Sequence, residues 1–164
     1  IEYQPPAGEG AFSTKLSPYQ LLFSRRSWYV IGRSSLHRAQ RTFNVGRIVT
    51  LEQLEDTFLA PKNFSIERYL GNAWHMIPDG RDRKVIIHFD PLVAANVAEV
   101  VWHRTQKTSL REDGSLRFEV TVSGLWEISW WIMGYGDQAE VQEPKELRKM
   151  IAERAARLTD RYSC

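Results

Sequence analysis

Residues Trp28 to Ile48, WYVIGRSSLHRAQRTFNVGRI, join an aromatic pair to a run of arginines. Trp28 to Arg33 is rich in aromatic and β-branched residues and predicts a strand. Phe43 and Val45 then alternate with Thr42, Asn44 and Gly46, which predicts another strand over Arg41 to Ile48. Ser34 to Gln40 has no apolar period and is expected to form a loop. Working outward, Ile1 to Tyr3 suits a short strand, Ser13 to Leu16 a second, and Tyr19 to Ser24 a third with alternating Tyr19, Leu21 and Phe23. Ser17-Pro18 is expected to be a turn, and Ser24 to Ser27 a polar connection carrying Arg25 and Arg26. Several short strands with tight connections suggest a small barrel.

The same region is unusual in charge. From Ala11 to Leu51 there is no Asp or Glu, while seven basic residues and His37 fall there. All 20 acidic residues lie elsewhere, facing the remaining fifteen of the 22 basic ones. The net charge of +2 therefore hides a basic module joined to an acidic one. Arginine's planar fork meets two phosphate oxygens at once. Aromatics beside it give bases a stacking surface. Arginines with no neighbouring carboxylate face water, pair with the acidic module, or await an anion. A large aromatic such as Trp28 is expected in a core, with Tyr29 on the opposite strand face. Arg41 and Arg47 share the parity of Phe43 and Val45, so they are expected towards the core side, at the two ends of the strand.

Further on, Leu51, Leu54 and Phe58 have helix-like spacing, and Asn63 to Ile77 is predicted helical with Ser65 as N-cap. Pro78-Asp79-Gly80 is turn chemistry, so a boundary is expected there, giving modules 1–80 and 81–164. In the second, Val85, Ile87 and Phe89 alternate in a strand. Asp90-Pro91 then opens a helix with a Val93, Val97, Val100, Val101 stripe. His103 to Leu110 is expected as a polar edge strand, turning at Asp113-Gly114 into the strand of Phe118, Val120 and Val122. A helix through Leu125, Ile128 and Ile132, a strand over Ala139 to Gln142 and a long helix after Pro144 complete the order βαββαβ plus a helix. The expected class is α+β: a small barrel followed by a ferredoxin-like, split-βαβ module.

The rest of the sequence narrows the function classes. No stretch is long and apolar enough to span a membrane. The single cysteine, Cys164, leaves no internal disulfide or Cys-based zinc site and suits the cytoplasm. His37, His75, His88 and His103 show no metal-ligand spacing, no G-x-S-x-G occurs, and Gly134-Tyr135-Gly136 follows a helix where a phosphate loop opens one. No enzyme and no cofactor is expected. Ile1-Glu2-Tyr3 reads like the middle of a strand and suggests that sequence precedes it.

Trp28-Tyr29-Val30, Arg41-Thr42-Phe43 and Arg47-Ile48, with Pro18-Tyr19 before and Phe64 after, resemble the WYL domain of bacterial transcription regulators. The second half resembles the WCX extension of those proteins. The resemblance implies a five-stranded Sm-like, SH3-type barrel with a groove for single-stranded nucleic acid or a nucleotide. It also implies a winged helix-turn-helix N-terminal to the barrel, through which duplex DNA is met. Tyr19, Trp28, Tyr29, Arg41 and Arg47 carry over from the family pattern. Ser35 and His37 carry over by position only, since Ser34-Ser35 replaces Cys-His, and Gly46 replaces the usual Asp. Arg26, Arg33 and Arg38 extend the basic set. The expected function is ligand sensing and dimerisation within a regulator, as a homodimer; the alternative is a protein-interaction module without its own small ligand. Trp126, Trp130 and Trp131 either fill the second module's core or face a partner.

Overall fold

Alternation of apolar residues every second position builds ten short strands, and the computed structural model describes them through residues 1–6, 10–24, 26–79 and 81–163. The chain is mixed α+β and divides into two units, Ile1–Tyr69 and Leu70–Cys164. Arg25, Gly80 and Cys164 lie outside the described residues.

The first unit contains two three-stranded antiparallel sheets. One has the order β2 (Phe12–Ser13), β1 (Glu2–Tyr3), β6 (Ile48–Thr50). The other has the order β3 (Leu16–Ser24), β4 (Ser27–Ser34), β5 (Ala39–Asn44). The small core is Tyr3, Val30 and Phe43, with Ile1, Phe12, Leu16 and Ile48 against it. Tyr3 and Phe43 meet edge-on at 5.1 Å, a favourable geometry for aromatic quadrupoles. Cross-strand register puts Leu21, Val30 and Phe43 on one face, and Tyr29 and Ile31 on the other.

Several expectations change here. Ser17-Pro18 is no turn: both lie inside β3, where an edge strand and a register shift between Pro18 and Gln20 spare the missing proline N–H. The Arg41 strand stops at Asn44, whose side-chain oxygen accepts the Gly46 N–H at 2.9 Å. That bond caps a 3₁₀ turn over Val45–Arg47, and β6 follows. The Leu51, Leu54, Phe58 spacing makes no helix, because those side chains face the first unit's groove, described below, and the stretch has no helical bonding of its own. The predicted 63–77 helix shrinks to α1 (Ile66–Leu70); Ser65 Oγ does accept the Arg68 N–H at 3.1 Å, and Gly71 at φ 53° ends the helix.

The second unit begins at Leu70, ahead of the boundary expected at 78–80; the expected turn there includes Gly80, which lies outside the described residues. Trp74 is buried in its core and stacks on His103, with ring centroids 5.7 Å apart. Glu127 accepts the backbone N–H groups of His75, Met76 and Ile77 at 2.9–3.3 Å. A four-stranded antiparallel sheet has the order β10 (Ala139–Glu143), β7 (Asp82–Phe89), β9 (Leu116–Ser123), β8 (Lys107–Leu110). Every second residue of β9 is buried, so one face carries the core. Ala94 and Val97 of α2 (Pro91–Ala98), Ile128 and Ile132 of α3 (Trp126–Met133) and Leu147 of α4 (Lys145–Tyr162) cover it. The valine stripe is shorter than predicted: α2 ends at Ala98, and Val101 is 83% exposed. His103, expected on an edge strand, is buried before β8 begins. No helix among the described residues is long and apolar enough to cross a membrane.

Candidate functional site

The described arginines of the acid-free stretch sort to the two ends of β4. The β3–β4 turn carries Arg26, and Phe23 pairs with Trp28 beside it, ring centroids 5.3 Å apart. The register Tyr29–Asn44 brings the 3₁₀ turn with Arg47 alongside the start of β4. Trp28 corrects the expectation of a core residue. It is 53% exposed, because the core ends at Val30 and the hairpin runs on past it.

At the other end stand Arg33, Ser35, His37, Arg38 and Arg41. The six steps from Trp28 to Ser34, at ~3.3 Å each, separate the ends by roughly 20 Å. Ser34 and Thr14 are buried and share a hydroxyl hydrogen bond of 2.8 Å. The His37 ring nitrogen Nδ1 joins Ser34 Oγ at 2.8 Å, and Ser35 Oγ accepts the Lys15 N–H at 3.1 Å. Ser35 and His37 are therefore tied into the turn by local bonds.

Arg41 keeps the face of Phe43, as its parity predicts, but lies opposite Gly32 at the strand's margin and is exposed; Arg47 has left the strand for the 3₁₀ turn and is exposed too. Arg41 donates to the Gln40 carbonyl at 3.1 Å. Among the described residues, none of Arg26, Arg33, Arg38, Arg41 and Arg47 forms an ion pair. Arg26 and Arg38 have φ of 69° and 51°, the left-handed region that non-glycine residues seldom adopt. They are the described non-glycine residues with positive φ, and each sits in a turn at one end of β4. Tyr19 lies apart from both ends, at the β3 register shift, with its ring 5.2 Å from Phe64 and 6.2 Å from Phe58. Tyr29 is half-buried on the opposite face from Trp28.

A cavity of about 690 Å³ opens elsewhere in this unit. Its walls include Leu16, Leu21, Val30, Ile48, Leu54 and Phe58, and none of the arginines. The sequence reading missed it. The signal was the apolar spacing of Leu51, Leu54 and Phe58, which suits a helix as well as a wall.

In the second unit, Trp131 packs against the core, while Trp126 and Trp130 are 52% and 57% exposed. The Arg154 guanidinium sits between them, 4.3 and 4.4 Å from the two ring centroids. Arg154 Nη1 donates to Ser129 Oγ at 2.7 Å, and Nη2 is buried without a partner. Burial, with Arg157 close by, holds the guanidinium's pKa below its ordinary value. Burial likewise lowers the pKa of His103, whose Nε2 lies 3.3 Å from the Ala73 carbonyl. Among the described residues, no three His, Cys, Asp or Glu side chains are placed to hold a metal ion.

Comparison with known proteins adds the following. The family model of the WYL domain matches residues 1–53, and that of the WCX domain matches residues 81–159. Among solved structures, the chain is similar to the proteasome accessory factor B/C (PafBC) of Arthrobacter aurescens, at 19% identity and a TM-score of 0.40. That match covers 97% of this chain and 24% of the other, so this chain spans about a quarter of its length. No curated protein matches.

Proposed function

Because the chain belongs to the WYL-domain proteins, with a WCX domain behind its WYL domain, we propose that it is the effector-sensing and dimerising region of a bacterial transcription regulator, without catalytic activity. We read the first unit as the Sm-like, SH3-type barrel of that family. The second is the ferredoxin-like module, a reading supported by its βαββαβ order and by the sheet order β10-β7-β9-β8. The ligand is a short single strand of nucleic acid, and its binding shifts the position of a DNA-reading domain in the whole protein.

One observation carries the ligand class: exposed arginines without ion pairs stand at both ends of β4, with the Phe23–Trp28 pair at one of them. A separation of roughly 20 Å suits an extended polyanion better than a compact anion, since one small ligand cannot reach both ends. The left-handed Arg26 and Arg38 support this, because strained turn residues cluster at functional positions. Arg26, Arg33, Arg38, Arg41 and Arg47 hold phosphates, and Trp28 stacks a base; Tyr19, Tyr29, Ser35 and His37 shape the surrounding surface.

The test is binding of labelled single-stranded oligonucleotides over a range of salt. Log affinity is expected to fall linearly with log salt. Arg41→Ala with Arg47→Ala is expected to weaken binding by about tenfold or more while changing stability by no more than ~0.5 kcal/mol. Absence of binding at low salt would remove the nucleic-acid ligand.

The dimer reading rests on the exposed rings of Trp126 and Trp130, held on either side of the buried Arg154 guanidinium, since Trp is enriched at the energetic centres of protein interfaces. Light scattering at high protein concentration checks it, with a monomer mass as the contrary result.

A further inference from the structure

His37 is the one histidine of the first unit, and it sits in the turn that joins β4 to β5. Arg33, Arg38 and Arg41, none of them in an ion pair, share that end of β4. The His37 ring is held from one side. Its Nδ1 lies 2.8 Å from Ser34 Oγ, and the Phe12 ring meets it edge-on at 5.5 Å. The residue is otherwise exposed, and its Nε2 has no partner among the described residues.

Behind Nδ1 runs a chain of buried hydroxyls. Ser34 Oγ meets Thr14 Oγ1 at 2.8 Å, and Thr14 Oγ1 reaches the Lys15 carbonyl at 3.3 Å. The backbone N–H groups of Leu36 and His37 donate to Thr14 Oγ1 at 3.2 Å and to Ser34 Oγ at 3.3 Å. A hydroxyl has one hydrogen to give and lone pairs to accept with, so the chain runs in either direction. With Nδ1 bare, Thr14 donates to Ser34 and Ser34 to the ring. With Nδ1 protonated, the ring donates to Ser34, Ser34 to Thr14, and Thr14 to the Lys15 carbonyl. Neither direction orphans a buried hydroxyl, so the ring changes charge without that cost. Imidazole is also the side chain that changes charge between about pH 5 and 8. The other charges on the surrounding elements are already engaged. Lys15 pairs with Asp56 at 2.6 Å, the Ile1 ammonium donates to the Thr14 carbonyl at 3.0 Å, and Glu2 accepts the Thr50 hydroxyl at 3.2 Å. An anion held by the three arginines favours the charged ring beside them.

We infer that His37 is a proton-coupled contact for a phosphate-type oxyanion, with Ser34 and Thr14 as the positioning residues behind it. The imidazolium carries N–H on both nitrogens: Nδ1–H donates to Ser34, and Nε2–H to the anion. The proton comes from the solvent as the anion binds. This contact rests on the reading of the arginine ends as an anion surface, and it adds a pH dependence to one of them. Because the anion prefers the charged ring, affinity rises as pH falls through the imidazole range, by at most about tenfold per pH unit for one proton.

The experiment follows the His37 ring protons by NMR from about pH 8 to 5.5, in chloride and in sulfate at equal ionic strength. His37→Gln, a change at an exposed position, identifies the signals. Sulfate is expected to raise the titration midpoint by about 0.5, roughly a threefold gain in proton affinity. Thr14→Val, close in shape, removes the acceptor that Ser34 needs when the ring is charged. It is expected to lower the midpoint, and Thr14→Ser to restore it. In a second arm, a labelled single-stranded oligonucleotide is expected to bind about threefold more tightly at pH 6 than at pH 7, and His37→Gln to lose the difference. A midpoint that sulfate leaves unmoved would overturn the contact, and one unmoved in Thr14→Val would overturn the part given to the hydroxyl chain. Oligonucleotide binding indifferent to pH, or equally pH-dependent in His37→Gln, would overturn the coupling. If no oligonucleotide binds while sulfate still raises the midpoint, the nucleic-acid reading falls and the anion contact stands.

Discussion

The two units place their apolar residues in opposite ways. In the second, β7 and β9 turn Val85, Ile87, Phe89, Leu116, Phe118, Val120 and Val122 inward, each almost fully buried. In the first, the equivalent hairpin β3–β4 buries Val30 and Ile31 but leaves Leu21, Phe23 and Trp28 more than half exposed. Hydrophobic burial is the main term holding a fold together. The second unit therefore has a covered sheet face, although Leu92, Val101, Trp126 and Trp130 on its outside stay exposed. The first keeps apolar and aromatic surface open, next to described arginines without ion pairs. It is on these uncovered groups that the proposed ligand binding rests.

The comparison can be broken most severely in the core of the second unit. Phe118→Ala is expected to cost about 3–5 kcal/mol, because a fully buried ring leaves a cavity that its neighbours cannot fill. Phe23→Ala, where Phe23 is 58% exposed, is expected to stay within ~0.5 kcal/mol. Denaturant unfolding of the two variants measures the contrast, and equal losses would dissolve it.

A middle-sized effect is expected at Gly32 of β4. A Cβ there would run into the Ser17 carbonyl oxygen and crowd Leu16 Cδ1. Backbone cannot yield as a side chain does, so Gly32→Ala is expected to cost about 1–3 kcal/mol, as over-packing does. The strain falls where β3 and β4 pair. Denaturant unfolding measures the loss, and a neutral variant would show that β3 moves freely.

The smallest effect is one of pH. Burial lowers the His103 pKa below the ordinary imidazole value of 6.5. The unfolded chain then takes up a proton before the folded one does. The stability from neutral His103 is whole above pH 6.5 and declines as pH falls from there towards the folded-state pKa. Unfolding followed from pH 7 to about 5 should show a loss of stability, and His103→Gln should flatten it. An unchanged slope in the variant would assign the loss to other groups.

Much of this was legible beforehand where periodicity and turn chemistry agree. In the second unit, the alternation in β7 and β9, Asp113-Gly114 with Gly114 at φ 80°, and Pro144 before α4 each point to one structure. Legibility failed where several structures satisfy one pattern. Leu51, Leu54 and Phe58 suit a helix face and a groove wall equally. Pro18 suits a turn and also an edge strand beside a register shift. Trp28 has the composition of a core residue, yet the core stops short of it.

By itself the sequence determined the charge division, the WYL and WCX signatures, the α+β class and which residues could carry a ligand. These are local or compositional properties, fixed by residue identity and spacing. Only the tertiary structure decided that the arginines part to the two ends of β4, that His37 and Ser35 are bound into a turn, and that Leu51, Leu54 and Phe58 line a cavity. Those facts depend on register and on which chain segments meet. A one-residue slip in register would turn every side chain of a strand to the other face, and neither composition nor periodicity records which register is taken.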